Sequence, residues 1–407
     1  MQMMRVMSGV AMAVLLAGCA EQLSGLDQSL YGVANSVSTQ DRVTGSRILA
    51  SGDRAAQIAE SNAAIDQQLA KLTAGGGKIN ADVDPAGYAK LVTITQRIIQ
   101  ASHFAGEASQ WKVVLLPEKD FNAYVNGGSY VMVYKGLLDS VKSDDEIAAV
   151  IGHEVGHVAA NHVGRQQAYQ IVSLLDRKNA SNDAFGESFT LAQEQQADQI
   201  GILYAALAGY DPMAASTLWN RLYAQQGQSA GLISSHPLNG DRAASTKQIG
   251  QQVAQYRVAG RVNPQAQEIL VNNVLWQRST LPQLAAGQGG GLLAVAQTAW
   301  TTYQERETAQ GLAEAQTARA AQVKAVQQAL VVRNINGVDP DTVVVQMTYQ
   351  GTQPLAELRL ALQTAKARVI ASAGAVAPGA TFDVTFSQAG SGVGGGGKVT
   401  IAVDEVR

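Results

Sequence analysis

His153 and His157 stand four residues apart, with Glu154 directly after the first. On a helix, positions i and i+4 share one face, so both imidazoles can meet a single metal ion of the zinc class. Glu154 points about 100° further round such a helix. From there it can reach a metal-held water without ligating the metal, accept that water's proton and pass a proton to a leaving amine. A third protein ligand must come from elsewhere. Glu194 and Asp198 are again four apart, among Leu191, Ile200 and Leu203, so both carboxylates can face inward. Burial tolerates a carboxylate only when it is paired or on a metal. Glu194 can be the third ligand, and Asp198 can hydrogen-bond the distal nitrogen of a ligating histidine. The plain alternative, solvated helices bearing scattered charges, is opposed by the apolar run directly before His153.

These side chains need helices to carry them. Ser143-Asp144-Asp145-Glu146 has the capping character that opens a helix, and Ile147, Val150 and Ile151 give it an inward face. A second helix is predicted from about Phe189 to Leu207, ending at Gly209, and a third from Asp211-Pro212 through Leu218 and Leu222. Earlier in the chain, Asp84-Pro85 opens a helix through Leu91, Ile94, Ile98 and Ile99. Trp111 to Leu116 reads as a strand closed by Pro117, Asn126-Gly127-Gly128 as a turn, and Ser129 to Tyr134 as a second strand. His162 lies nine positions after His153. Val158 to Asn161 is expected to continue the helix, without the glycine turn a third histidine ligand would need, leaving His162 behind the ligands or at the surface. His103 is isolated and reads as structural.

The chain begins with one basic residue, Arg5, an apolar run from Val10 to Leu16, and small residues Ala17-Gly18 before Cys19. That run is too short to span a bilayer and fits a signal peptide. Leu16-Ala17-Gly18-Cys19 resembles the bacterial lipobox, whose cysteine becomes lipid-modified. Cys19 is the only cysteine, so no intramolecular disulfide can form. The expected organisation is a signal peptide over 1–18, a helical N-terminal segment and tether over 19–80, a catalytic domain over 81–257, a helical connector over 258–329 and a small antiparallel β domain over 330–407. In the last, Thr342 to Thr348, Leu358 to Leu362, Thr381 to Phe386 and Lys398 to Val403 alternate as strands. With 407 residues, a net charge of −3 and a pI near 6.0, the chain has no basic footprint for nucleic acid.

Gly152 to His157, Glu194-Gln195-Gln196-Ala197-Asp198, Ala208-Gly209-Tyr210-Asp211-Pro212 and Ser234-Ser235-His236-Pro237 with Arg242 occur in that order. Together they resemble the M48 family of zinc metallopeptidases, over about Asp84 to Gln251; Asn122-Ala123 and Gly127 to Leu138 match its strand and loop before the active-site helix. The C-terminal third is outside the resemblance. The resemblance implies an α+β chain: a mainly helical, zincin-like (gluzincin) domain with a small sheet, followed by the β domain. It implies one Zn2+ per chain on His153, His157 and Glu194, with Glu154 as general base. His236 then has two readings, a removable occupant of the open metal position or a stabiliser of the oxyanion. Arg242 either pairs with a carboxylate near the metal or steadies transition-state charge. The Ser129 to Tyr134 strand is expected to offer its edge to an extended peptide. The implied protein is a zinc metalloendopeptidase that cleaves unfolded or misassembled envelope proteins and has outer-membrane assembly machinery as a partner. Cys19 would anchor it by lipid to the bacterial outer membrane, facing the periplasm, since Ala20 stands where an inner-membrane retention signal places Asp. The competing class is a chaperone or scaffold with a latent site. An aminopeptidase is disfavoured because no site for a substrate amine is visible.

Overall fold

The computed structural model describes residues 20–50, 54–175, 189–224, 236 and, with short breaks, 240–406. The signal-peptide residues, Cys19, and the Ser234, Ser235 and Pro237 of the downstream motif lie outside the described residues.

Helix α1 (Ala20–Val37) leads into a hairpin of β1 (Ser38–Gln40) and β2 (Arg47–Leu49), followed by α2 (Arg54–Ala74) and α3 (Pro85–Gln100). α3 starts as its sequence dictates: Asp84 accepts a hydrogen bond from the Gly87 amide and Pro85 takes the first turn. Leu91, Ile94, Ile98 and Ile99 are its buried face. A three-stranded sheet follows, in the order β3 (Lys112–Leu116), β5 (Tyr130–Tyr134), β4 (Ala123–Val125). β5 pairs with β3 in parallel and with β4 antiparallel, so both of its edges are taken. This corrects the expectation that the Ser129 to Tyr134 strand offers an edge to substrate. Among the described residues, the free edge that packs on the metal-motif helix belongs to the short β4.

After α4 (Lys135–Ser140) comes α5 (Asp144–Ala159), which carries the histidine motif and is capped by the Ser143 hydroxyl on the Glu146 amide. The expected continuation of this helix is broken. Asn161 adopts a positive φ of 54°, a conformation asparagine tolerates better than most side chains, and a new helix, α6 (His162–Leu175), starts beyond it. His162 is thereby folded back and fully buried rather than carried onward to the surface.

α7 (Leu191–Leu207) opens with a complete capping box between Thr190 and Gln193, and the chain leaves it through Gly209 at φ 91°. The α5–α7 crossing is the feature that assembles the site. A Cβ on Gly152 would lie 2.5 Å from the Gly201 carbonyl oxygen, and one on Gly156 would lie 2.7 Å from that of Ala197. Glycine at these positions lets the two backbones touch, which sets Glu194 and Asp198 of α7 against His153 and His157 of α5. α8 (Met213–Ala224), α9 (Gly240–Val253) and α10 (Ala266–Asn272) close the same core, in which Ile151, Val155, Leu203 and Leu218 are buried together.

The 40-residue helix α11 (Gly290–Ala329) runs from α1 to the C-terminal strands. There β6 (Leu330–Asp339), β7 (Thr342–Tyr349), β8 (Leu355–Gln363), β9 (Arg368–Val376), β10 (Thr381–Ser387) and β11 (Thr400–Val406) form two antiparallel sheets, ordered β10-β7-β6 and β11-β8-β9. Val345 and Phe386 from one sheet and Leu360 and Leu362 from the other share a core, so the unit is a small sandwich. Its β9 reaches α8: Arg368 donates to the Tyr223 carbonyl at the end of that helix, at 3.1 Å, and to Asp404, at 2.6 Å. The chain is therefore mainly helical with a small sheet and a C-terminal antiparallel β region, the α+β class expected of it.

Candidate metal centre

Four donor groups converge in the interior. His153 Nε2 lies 3.0 Å from His157 Nε2 and 3.2 Å from His236 Nδ1. His236 Nδ1 lies 3.0 Å, and His157 Nε2 3.4 Å, from Glu194 Oε1, while His153 Nε2 is 3.3 Å from Glu194 Oε2. All four side chains are buried, and their ligand atoms fall within 4.8 Å of one another. A tetrahedral zinc ion with bonds of 2.0–2.1 Å would separate its ligand atoms by about 3.3–3.4 Å. The observed spacing is that of such a shell, slightly contracted.

The protons argue the same way. Asp198 Oδ1 is 2.9 Å from His153 Nδ1, which fixes a proton there and leaves a lone pair on Nε2. On the other side, His157 Nδ1 is 2.9 Å from His162 Nδ1, and His162 Nε2 is 3.0 Å from Gln196 Oε1. The Gln196 oxygen can only accept, so His162 carries its proton on Nε2 and receives one from His157 Nδ1. His157 is left with its Nε2 lone pair facing that of His153 and the Glu194 carboxylate. The Arg242 guanidinium approaches His153 Nε2 only at 3.4 Å, and a cation between the two lone pairs and the carboxylate would satisfy them together. Burial favours neutral His153, but Asp198 and Glu194 outweigh it and hold the imidazole up to about 9, a proton taking the place that a metal would fill. Burial pushes His157 down to about 3, so it is an uncharged ligand across the neutral range.

Arg242 locks the carboxylates. It is fully buried, with Nη1 2.6 Å from Glu194 Oε2, Nε 2.6 Å from Asp198 Oδ2 and Nη2 3.0 Å from Asp198 Oδ1. Burial opposes ionisation of Glu194 and Asp198, but Arg242 and the neighbouring histidines hold both below the usual carboxylate range. The guanidinium stacks over Trp219, whose indole N–H donates to Asp198 at 3.2 Å. Of the two readings of Arg242, the geometry bears on carboxylate pairing.

Glu154 differs from every other acid in the site. It is buried, and neither carboxylate oxygen has a hydrogen-bond partner among the described residues; His236 Nε2 lies 3.6 Å from Oε1. Burial pushes its pKa up, against the pull of His236 and His153. An unpartnered carboxylate beside a metal-ligand cluster is an acceptor waiting for a proton donor. Phe189 stacks on His157 with ring centroids 4.1 Å apart and lies 5.5 Å from His236, forming an apolar wall.

The structure thus brings together His153, Glu154, His157, Glu194, Asp198, His236 and Arg242; Cys19 falls outside the described residues. Gln196, Trp219 and Phe189 were missed by the sequence reading. Gln196 carried a signal: it lies two positions after Glu194 inside the same motif. Trp219 follows the core residue Leu218 and had none.

The sequence profile of peptidase family M48 matches residues 85–250. Those residues are an M48 peptidase domain. The chain is 36% identical over 144 residues to the mitochondrial metalloendopeptidase OMA1 of Arabidopsis thaliana, covering 32% of this chain and 30% of that protein. It is 29% identical over 184 residues to the metalloprotease LoiP of Escherichia coli, 40% of this chain and 71% of LoiP. With the E. coli beta-barrel assembly-enhancing protease it shares 24% identity over 262 residues, 54% of this chain and 53% of that one. The chain thus covers less than a third of the Arabidopsis protein. Zinc is the metal of the M48 domain, and the donor set fits it.

Proposed function

We propose that this chain is a zinc-dependent endopeptidase of the bacterial envelope that cleaves unfolded or misassembled proteins. The observation that carries the reading is the buried convergence of His153, His157 and Glu194 beside the unpartnered carboxylate of Glu154. His153, His157 and Glu194 would hold zinc, which supplies a Lewis acid that polarises a peptide carbonyl and acidifies water. Glu154, raised by burial, takes the proton of the attacking water and returns it to the amide nitrogen as the peptide bond breaks. Asp198 and His162 fix the tautomers of the two histidines, and Arg242 holds Glu194 and Asp198 in register. The free edge of β4 offers main-chain pairing to an extended peptide, which selects for unfolded chains more than for sequence.

His236 fills the fourth position of the donor set, where a catalytic zinc site keeps room for water or substrate. We read it as a removable plug, with activity appearing when it withdraws. The envelope setting is supported by the lipobox ending at Cys19, and a link to the assembly of β-barrel proteins by the name of the E. coli beta-barrel assembly-enhancing protease. Cys19 would anchor the chain to the outer membrane, facing the periplasm. The test is Glu154→Gln: bound zinc is retained and cleavage of an unfolded protein substrate is lost. Undiminished cleavage by that variant would overturn the mechanism.

A further inference from the structure

We propose that the outer face of the α1–α11 helix pair lies flat on a phospholipid bilayer. Thirteen large apolar side chains stand exposed among the described residues, and seven of them lie on α1 and the first 14 residues of α11. On α1 these are Leu26, Val33 and Val37, within about 40° of one another at 100° per residue, with Leu26 and Val33 58% and 59% exposed. On α11 they are Leu292, Val295, Trp300 and Tyr303, within about 140°, opposite the side that buries Ala294 and Thr298. A helix that is apolar on its outward face as well as its inward one has a second apolar neighbour. Trp300 and Tyr303, 43% and 41% exposed, stack with centroids 6.0 Å apart, and such aromatic side chains favour the headgroup boundary of a membrane.

Charge and position name the neighbour. Residues 290–303 contain no Asp, Glu, Lys or Arg. α1 has two acids, Glu21 in its first turn and Asp27, and Asp27 is turned inward to cap α11 through the Gly289 and Leu292 amides at 3.1 and 3.0 Å. α1 begins at Ala20, the residue after Cys19. The proposal rests on reading Cys19 as lipid-modified: acyl chains there bring α1 to the interface, and a single lipid signal is strengthened by a second, apolar one. Neither helix is long and apolar enough to cross the membrane, which fits a surface-lying pair. The M48 domain would then be held at the membrane in a fixed orientation.

The test uses the full chain, purified with its lipid and reconstituted in phosphatidylethanolamine–phosphatidylglycerol vesicles containing brominated acyl chains. Mass spectrometry reads acylation of Cys19, flotation reads anchoring, and the difference in emission between wild type and Trp300→Phe reads Trp300. The expected result is acylation, flotation and quenching of Trp300, with quenching but not flotation lost in Leu26→Asp/Val33→Asp. Flotation of acylated protein with Trp300 unquenched overturns the docking and leaves the anchor standing. Absence of acylation and of flotation overturns both. Disulfide-linked dimers of a Val33→Cys variant with Trp300 unquenched would assign the face to a second copy and also overturn the proposal.

Discussion

Replacing Gly201 by alanine should open the metal site without altering any ligand side chain. A Cβ at position 201 would stand 2.5 Å from the Gly152 carbonyl carbon and 2.5 Å from the His153 amide nitrogen, both backbone atoms that cannot rotate away. Ordinary contact begins at 3.4 Å, so α5 and α7 must part by about 1 Å. Overpacking of this kind costs about 1–3 kcal/mol. The larger effect falls on the site, because α5 supplies His153 and His157 while α7 supplies Glu194 and Asp198. Misplacing the α7 carboxylates should weaken zinc binding by about 10- to 100-fold, the usual cost of disturbing a metal site's supporting shell. Competition against a chromogenic chelator measures that affinity, and urea unfolding of the metal-free full chain measures stability. Gly311→Ala is the matched control: it lies within α11 with open space around it, and should stabilise by about 0.5–1 kcal/mol with zinc affinity unchanged. Wild-type zinc affinity in Gly201→Ala would refute the claim that glycine contact at this crossing sets the ligand geometry.

Three further outcomes follow from the geometry. His162→Leu removes the acceptor behind His157 and should lower zinc affinity by about 10- to 100-fold, whereas His162→Asn, which keeps an acceptor oxygen, should retain most of it; equal losses in chelator competition would contradict the proton order deduced for the His157–His162–Gln196 chain. His236→Ala should keep its zinc and cleave an unfolded substrate faster than wild type if His236 is a plug, and a fall in turnover would instead support the oxyanion reading. His103, bonded through Nδ1 to the Tyr204 hydroxyl at 2.6 Å, is held down by burial to about 4 from 6.5. Its folded pKa lies below its unfolded one, so its contribution is complete above about pH 6.5 and is lost as pH falls from 6.5 towards 4. The loss is on the order of 3 kcal/mol. Urea midpoints of metal-free protein at pH 7.5 and 4.5 should therefore converge in His103→Phe relative to wild type, and an unchanged difference would count against this assignment.

The catalytic helix was legible because its signals are local. The Ser143 cap, the Ile147 to Ile151 face and the His153–His157 spacing all lie within fifteen residues, and Glu194 with Asp198 repeats the same i, i+4 logic on a second helix. What the sequence did not display depends on contacts between distant segments or on a single backbone angle. The positive φ of Asn161, which turns His162 back beneath His157, leaves no trace in hydrophobic periodicity. The central place of β5 in its sheet follows from a parallel pairing with β3 and an antiparallel one with β4, neither of which alternation within one strand can specify. Strands β6 and β9 escaped for a related reason: β6 is exposed along most of its length and β9 is rich in alanine and glycine, so neither carries a clean inward stripe. The meeting of His236 with Glu194 across 42 positions, finally, depends on the tertiary fold, and only the resemblance pointed to it.

The central claim is that His153, His157 and Glu194 form one zinc site. Metal analysis of the folded full chain tests it most directly, comparing wild type with the double variant His157→Ala/Glu194→Ala. One zinc per chain in wild type, and none in a double variant with an unchanged far-ultraviolet circular dichroism spectrum, is the predicted result. Wild type without a zinc-class ion, or a double variant that keeps its full complement, would contradict it.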